Sequence, residues 1–220
     1  MFPDELLDFY NKNKNCKNTN HIFFDDAYAD ATCAYYKFNF DFDPEVLLNE
    51  CKSIDHLFGS HRSGETLSGY KHENWQSLTL HGIDMHKTMH CDSYGYDSIE
   101  SYRWTELCSL TPNIAAFCKS LPYSFFDRVR IMKVGPGGYI MPHSDGKQRM
   151  FGPLNIAINN PEGCEFVFED CGTVPFEPGK GFVVDVSKRH IVINKSDEPR
   201  YHIIALGGLN ANELQQQNEL

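Results

Sequence analysis

After Phe126 the chain reads as short apolar segments cut apart by Gly, Pro, Asn and Asp, and this texture limits its architecture more than any other feature. The segments are DRVRIMKV (127–134), YIMPHSD (139–145), GPLNIAIN (152–159), CEFVFED (164–170), TVPFE (173–177), GFVVDV (181–186), HIVIN (190–194) and RYHIIAL (200–206). Eight strands within about 80 residues, with no helix between them, predict an antiparallel jelly roll or barrel. GPGG (135–138) is expected to make a tight turn between the first two strands. It does not open a helix and lacks the Lys-Ser continuation of a phosphate loop. Gly207 and Gly208 are expected to end the last strand.

The preceding residues mix helix and strand. Residues 4–12 suit a short helix, and CAYYKFNFDF (33–42) alternates as a half-buried strand, with Tyr36, Phe38, Phe40 and Phe42 on one face. Between Pro44 and Phe58, Leu47, Leu48, Cys51, Ile54 and Phe58 recur at helical spacing. Thr111 followed by Pro112 predicts a helix start with the threonine hydroxyl as cap, and Pro122 marks its end. The expected organisation is one integrated domain. Residues 1–124 form an N-terminal α/β elaboration packed on the core, 125–208 form a mainly β core, and 209–220 form a polar tail.

Composition narrows the functional classes. Hydrophobic content of 41% with 23% charged residues is ordinary for a globular chain. A formal net charge of −10 disfavours nucleic acid as a partner, since phosphate binding selects clustered Lys and Arg. No apolar run approaches the roughly 20 residues needed to span a bilayer, and the acidic, polar N-terminus lacks the pattern of a signal peptide. The eight cysteines are scattered without a CxxC pair, so reduced thiols and a cytoplasmic location are expected.

The chemistry concentrates in four residues. His143 and Asp145 sit two apart on a predicted strand and leave the same face; His190 follows 45 residues after Asp145 at the start of another. Two histidines and one carboxylate form the facial triad of non-haem Fe(II) sites, which leaves three coordination positions open. Arg200, ten residues past His190, opens the last predicted strand, where its fork could pair bidentately with a ligand carboxylate.

His143-Ser144-Asp145, His190, Arg200 and the stretch DVSKRHIVINKSDEPRYHIIAL resemble the Fe(II)/2-oxoglutarate-dependent dioxygenases, in particular the aspartyl/asparaginyl β-hydroxylase-like branch that includes free-proline hydroxylases. The resemblance covers about residues 125–207. It implies a double-stranded β-helix core. It also implies oxidative decarboxylation of 2-oxoglutarate with O₂ to succinate and CO₂, coupled to hydroxylation of an amino acid or of a side chain in a peptide or protein, with ascorbate as reductant. His143, Asp145 and His190 would then be the metal ligands, and Arg200 would hold the distal carboxylate of the cosubstrate. The branch often carries an Arg-x-His pair on the strand after HxD. With the NNPEG turn (159–163) as anchor, Asn155 falls near the histidine position and Pro153 or Gly152 near the arginine, while Arg149 matches only in a different register. Asn155 and Arg149 are the candidates for the rest of the cosubstrate site.

Other residues carry weaker signals. Arg128 and Arg130 alternate with Val129 and Ile131 on one face; if that face is interior, Arg130 is a candidate to hold a substrate carboxylate. Lys133 faces the other way and is expected in solvent. Trp75 and Tyr139 are candidates for the substrate pocket. His86, His90 and Cys91 imitate half of a zinc site, but Gly82 and Asp84 favour a loop. Two alternatives stand beside hydroxylation. Nucleobase demethylases resemble the family but carry a second arginine six residues after the first, where this chain has Leu206. A non-enzymatic cupin-like metal module would add a glutamate that HSDGKQRM does not offer. Asp145 favours hydroxylation over halogenation, which replaces that carboxylate by a small residue.

Overall fold

A computed structural model describes residues 1–16, 35–40, 42–61, 71–145 and 153–210. Its centre is one very long strand, β5 (Tyr123–His143), that changes partners halfway. Its first half pairs antiparallel with β11 (Arg200–Leu209) and its last residues with β10 (His190–Asn194). On the opposite edge β3 (His72–Gly82) follows it through both halves. The remaining strands extend the two halves outward. One runs through β6 (Leu154–Ala157) and β9 (Lys180–Val184) to β1 (Tyr35–Asn39); the other runs through β7 (Cys164–Phe168) to β8 (Gly172–Thr173). Short β2 (Gly59–Ser60) and β4 (Arg103–Trp104) flank β3. The outcome is an almost wholly antiparallel sheet folded over itself: the double-stranded β-helix expected from the strand pattern.

The turn expected at GPGG is a bend instead. The chain stays extended through residues 135–138 and does not reverse. Gly137 sits at φ +68°, and a Cβ on Gly138 would lie 2.7 Å from the Gly135 carbonyl oxygen, so glycine is required at both. The bend is clamped by Asn194, a fully buried side chain whose Nδ2 lies 2.9, 3.1 and 2.8 Å from the carbonyl oxygens of Val134, Gly135 and Glu198. Its Oδ1 accepts from the Ser196 amide and hydroxyl, which leaves the amide fully used. On the other edge Asn74, left-handed at φ 50°, donates from Nδ2 to the Pro136 carbonyl, so β3 bends in step. The last strand also outruns expectation. Gly207 forms a bulge at φ +150°, where a Cβ would meet the Phe125 carbonyl oxygen at 2.2 Å, and pairing continues to Leu209. Conversely, the strand expected over 173–177 shrinks to Gly172–Thr173.

Helices cover the outer faces. α1 (Asp4–Asn13) buries Leu6, Phe9 and Tyr10 against Met141, Val167, Ile191 and Ile193. α2 (Pro44–Ser53) is capped by Asp43, whose carboxylate accepts from the Glu45 amide, and is followed by a single 3₁₀ turn to Leu57. Beyond α3 (Leu107–Leu110), α4 (Pro112–Ser120) starts where Thr111-Pro112 predicts, but the cap comes from elsewhere. The Thr111 hydroxyl donates back to the Leu107 carbonyl, and the Glu50 carboxylate of α2 accepts from the amides of Asn113 and Ile114, both at 2.9 Å. α2, α4 and Phe38, Phe40 and Phe42 of the β1 segment close the larger apolar core over Leu78, Val129, Ile131 and Ile203. No helix among the described residues is long and apolar enough to cross a membrane. The 211–220 part of the expected tail, residues 33, 34 and 41 of the expected first strand, and Arg149 lie outside the described residues.

Lys133 is not in solvent. It faces away from the interior as expected, but its ammonium lies 2.6 Å from Asp55 with the side chain only 12% exposed, over the Phe58 ring. The buried Tyr201 hydroxyl donates to the same carboxylate. Burial raises the Asp55 pKa, but the bonds from Lys133 and Tyr201 outweigh it and hold the carboxyl below the usual range. A depressed folded pKa adds stability above the unfolded value of about 3.9 and loses it as pH falls. Asp55→Asn should therefore lower the denaturation free energy at pH 7 by up to about 1 kcal/mol, screening included, with the deficit closing below about pH 4. Asn194→Ala should cost more, at least about 3 kcal/mol in urea unfolding, since it strands buried carbonyls at the bend.

Candidate active site

His143 closes β5 and His190 opens β10, and the sheet register pairs them directly, with ring centroids 4.2 Å apart. A bulge aims them. Between Val192–Ile140 and His190–His143, two steps of β10 oppose three of β5, which turns His143 to the interior although Ile140 already points there. Each histidine is fixed by the carbonyl two residues before it: Nδ1 of His143 lies 2.8 Å from the Met141 oxygen and Nδ1 of His190 2.8 Å from the Lys188 oxygen. A carbonyl only accepts, so both rings carry the Nδ1 proton and present the Nε2 lone pair. Asp145 lies just beyond the strand end, its amide donating to the Val186 carbonyl at 2.8 Å. One ligand atom from each of His143, Asp145 and His190 falls within 4.8 Å of the others, the only such group of three among the described residues. Burial, then the neighbouring His143, pushes the His190 pKa down to about 4, so the ring is neutral and available as a ligand at pH 7. Phe166 stacks on it at 4.9 Å and 10°, and Phe168 meets it edge-on. The donor set, tautomers and open side fit a divalent iron.

This cluster lines a cavity of about 300 Å³ that also contains Arg200. Arg200 is 5% exposed, and no carboxylate lies within ion-pair distance among the described residues. Its guanidinium packs 5.1 Å from the Phe176 centroid, and its Nε–H donates to His202 Nε2 at 2.8 Å. Burial, then the charge of Arg200, drives the His202 pKa well down, so the ring is neutral; its Nδ1 lies 2.6 Å from Arg200 Nη2 and 2.9 Å from Asn155 Oδ1. Burial likewise lowers the Arg200 pKa. Removing a cation from water without an anion is expensive, and here the deficit sits in a cavity wall where a ligand carboxylate can reach it.

The structure thus brings His143, Asp145, His190, Arg200, Asn155, Arg130 and Trp75 to one cavity. It does not bring Tyr139 there. Ile140 faces inward, so Tyr139 points to the other side of the strand and meets Phe2 edge-on at 6.0 Å. Two buried residues were missed. His202 was legible as the next inward position after Arg200 on an alternating strand, an Arg-x-His pair on β11. His61, 1% exposed, gave no signal, because it reaches the cavity by pairing across chain: its amide donates to the Trp75 carbonyl and its Nδ1 lies 2.7 Å from the Ser77 hydroxyl. The His86–Cys91 segment is a loop with a short 3₁₀ turn, as expected.

The model of the aspartyl/asparaginyl β-hydroxylase family matches residues 44–205. The chain belongs to that family. It is a 2-oxoglutarate-dependent oxygenase of the hydroxylase class. The fold it shares is seen in a prolyl hydroxylase from Trichoplax adhaerens in complex with a hypoxia-inducible-factor peptide fragment, at 11% identity, 84% of this chain, 87% of that one and a TM-score of 0.50. Two further structures are similar: a prolyl-4-hydroxylase from Pseudomonas putida (15%, 82% and 94%, TM-score 0.44) and a 2OG-Fe(II) oxygenase from Burkholderia pseudomallei (12%, 87% and 97%, TM-score 0.49). No curated protein sequence matches the chain.

Metal occupancy should be readable as stability. At a hundredfold excess over its Kd, Mn(II) as an inert stand-in should add about 2.7 kcal/mol, a rise of several degrees in Tm by differential scanning fluorimetry. His143→Ala and Asp145→Ala should abolish that rise.

Proposed function

We propose that this oxygenase uses Fe(II), 2-oxoglutarate and O₂ to hydroxylate a free amino acid or an amino-acid side chain in a peptide or protein. One observation carries the reading: a His-Asp-His group within 4.8 Å and a buried arginine with no ion-pair partner among the described residues face the same cavity. His143, Asp145 and His190 would hold iron, which when bound would supply the oxidising chemistry for placing one oxygen atom of O₂ in a substrate C–H bond and the other in the succinate formed from 2-oxoglutarate.

The chain's own residues supply the rest. Arg200 binds the distal carboxylate of 2-oxoglutarate as a bidentate, charge-assisted pair, and this restores the charge that its burial leaves unmatched. His202, neutral and held by Asn155, fixes the guanidinium plane so that the fork is already aimed before the ligand arrives. Phe166 stacks on His190 and, with Val192 and Ile140, lines the cavity with apolar surface, which excludes bulk water. Ascorbate serves as the reductant that keeps the metal ferrous. Trp75 and Arg130 line the space left for substrate. The peptide held by the Trichoplax hydroxylase, a protein of the same fold, supports a peptide or protein as one class of substrate. The described cysteines are all free, which supports a reducing, cytoplasmic setting. Leu206 at the cavity wall, rather than a second arginine, speaks against nucleobase demethylation.

Anaerobic addition of 2-oxoglutarate to the Fe(II) protein should produce a weak visible charge-transfer band. Aerobic incubation with ascorbate and an amino-acid and peptide panel should release succinate. Arg200→Gln should weaken 2-oxoglutarate binding by about 10- to 100-fold, the 1.5–3 kcal/mol of a hydrogen bond to a charged group, while Mn(II) still raises Tm. If succinate release is absent throughout, or unchanged in His143→Ala, the reading fails.

A further inference from the structure

Two of the three ligand residues are held by one connection. His143 is tied within its own strand, through the Met141 carbonyl, but Asp145 lies beyond the end of β5 and His190 is the first residue of β10. Residues 185–189, which join β9 to β10, reach both. The Val186 carbonyl accepts from the Asp145 amide at 2.8 Å, and the Lys188 carbonyl lies 2.8 Å from His190 Nδ1. Only the dihedrals of Ser187 and Lys188 lie between these two peptide planes, so they set how one carbonyl points relative to the other.

Those dihedrals are fixed from Asp185. Its Oδ1 accepts from the Ser187 amide at 3.1 Å and from the Ser187 hydroxyl at 2.5 Å, and its own carbonyl accepts from the Lys188 amide at 3.1 Å. This is an Asx turn closed twice over a four-residue chain reversal. On either side the connection is anchored: Val186 is buried in the cavity wall, and the Arg189 carbonyl accepts from the Glu169 amide of the neighbouring strand end at 2.8 Å. Between those anchors the turn is the part left to be set. Asp185 itself is not part of the described cavity lining and is not one of the clustered ligands. A slip of the turn would shift the Asp145 main chain and the His190 ring together and leave His143 behind. Metal sites tolerate little of this, since ligands work only within about 0.5 Å of their productive positions.

We propose that Asp185 is a positioning residue of the metal centre: by closing the turn over Ser187 it aims the Val186 and Lys188 carbonyls, and through them sets Asp145 and His190 against His143. This rests on the metal-binding part of the proposed function, not on cosubstrate or substrate, and it is tested without turnover.

Calorimetric titration of the full chain with Mn(II), without cosubstrate, reads the effect. Asp185→Ala should weaken Mn(II) binding about 10- to 100-fold, the usual loss when a group that orients a ligand is removed. Ser187→Ala, which keeps the amide bond and loses the hydroxyl bond, should fall between that variant and the wild type. Wild-type affinity in either variant would overturn the proposal. The carboxylate also carries charge, and Asp185→Asn separates charge from geometry: its amide oxygen can still accept both bonds, so it should recover most of the loss. An Asn variant as weak as the Ala variant would assign the effect to charge and overturn the proposal as well. Asp55→Asn, which weakens the fold away from the site, should bind Mn(II) as the wild type does; an equal loss there would reduce the effect to general stability. In the metal-free protein, hydrogen exchange should show the Asp145 amide losing protection in Asp185→Ala while amides in the middle of β10 keep theirs. Mn(II) binding that is absent from the wild type, or that survives His143→Ala, would overturn the metal reading itself. Equal binding by wild type and Asp185→Ala would overturn only the positioning role.

Discussion

The bend in β5, clamped by Asn194, is the constraint on which the site depends. A straight 21-residue strand would carry residues 123–134 and His143 along one line, about 3.3 Å per residue, and leave the two halves of the sheet side by side. The glycines at 137 and 138 let the backbone turn without reversing, and Asn194 of β10 ties the turning point to the strand that brings His190. One buried amide thus links the two things the chemistry needs in register: His143 opposite His190, and Arg200 opposite Val134. Buried amides of this kind are costly unless every atom is used, and here each is.

This dependence explains what was legible in the sequence. Strands of period two write their inward residues plainly, so Arg200 at a strand start could be recognised from spacing, whereas Asp145 lies just past the end of β5 and is not placed by strand alternation. The same periodicity contains His202. What periodicity cannot report is how the chain moves between periods. Gly, Pro and Gly-Gly announce unusual dihedrals, not whether the strand reverses, so GPGG reads equally as a turn or as a bend held from outside. The bulge that reorients His143 lies within MPH and is set by pairing with β10, which no local pattern shows. Tyr139 was misplaced for the related reason that its face depends on its neighbour Ile140.

The N-terminal half was harder to read because its elements are buried on both sides or finished by distant residues. Along β3, Ser77, Leu78, Thr79 and Leu80 are all buried, which erases the alternation that marks a one-sided strand. His61 and Trp75 reach the cavity only because β3 pairs with β5, and Lys133 is covered only because Asp55 sits over it. Thr111 has the right identity for a helix cap, yet Glu50, 63 residues away from Asn113, takes the amides. In each case a long-range partner overrides a correct local preference.

The distribution of charge joins fold to function. A chain of net charge −10 has no shortage of carboxylates, and its outer arginines and lysines find them: Lys133 with Asp55, Lys37 with Glu177, Arg189 with Glu5 and Glu169. The inner wall behaves differently. Among the described residues, Arg200 has only a neutral histidine and an aromatic face. Burial of cations in this state opposes folding, so a protein that keeps them needs a compensating use. For Arg200, the distal carboxylate of the proposed cosubstrate would provide it. The acidic partner that Arg200 lacks among the described residues is, under the proposed function, the one the cosubstrate brings with it.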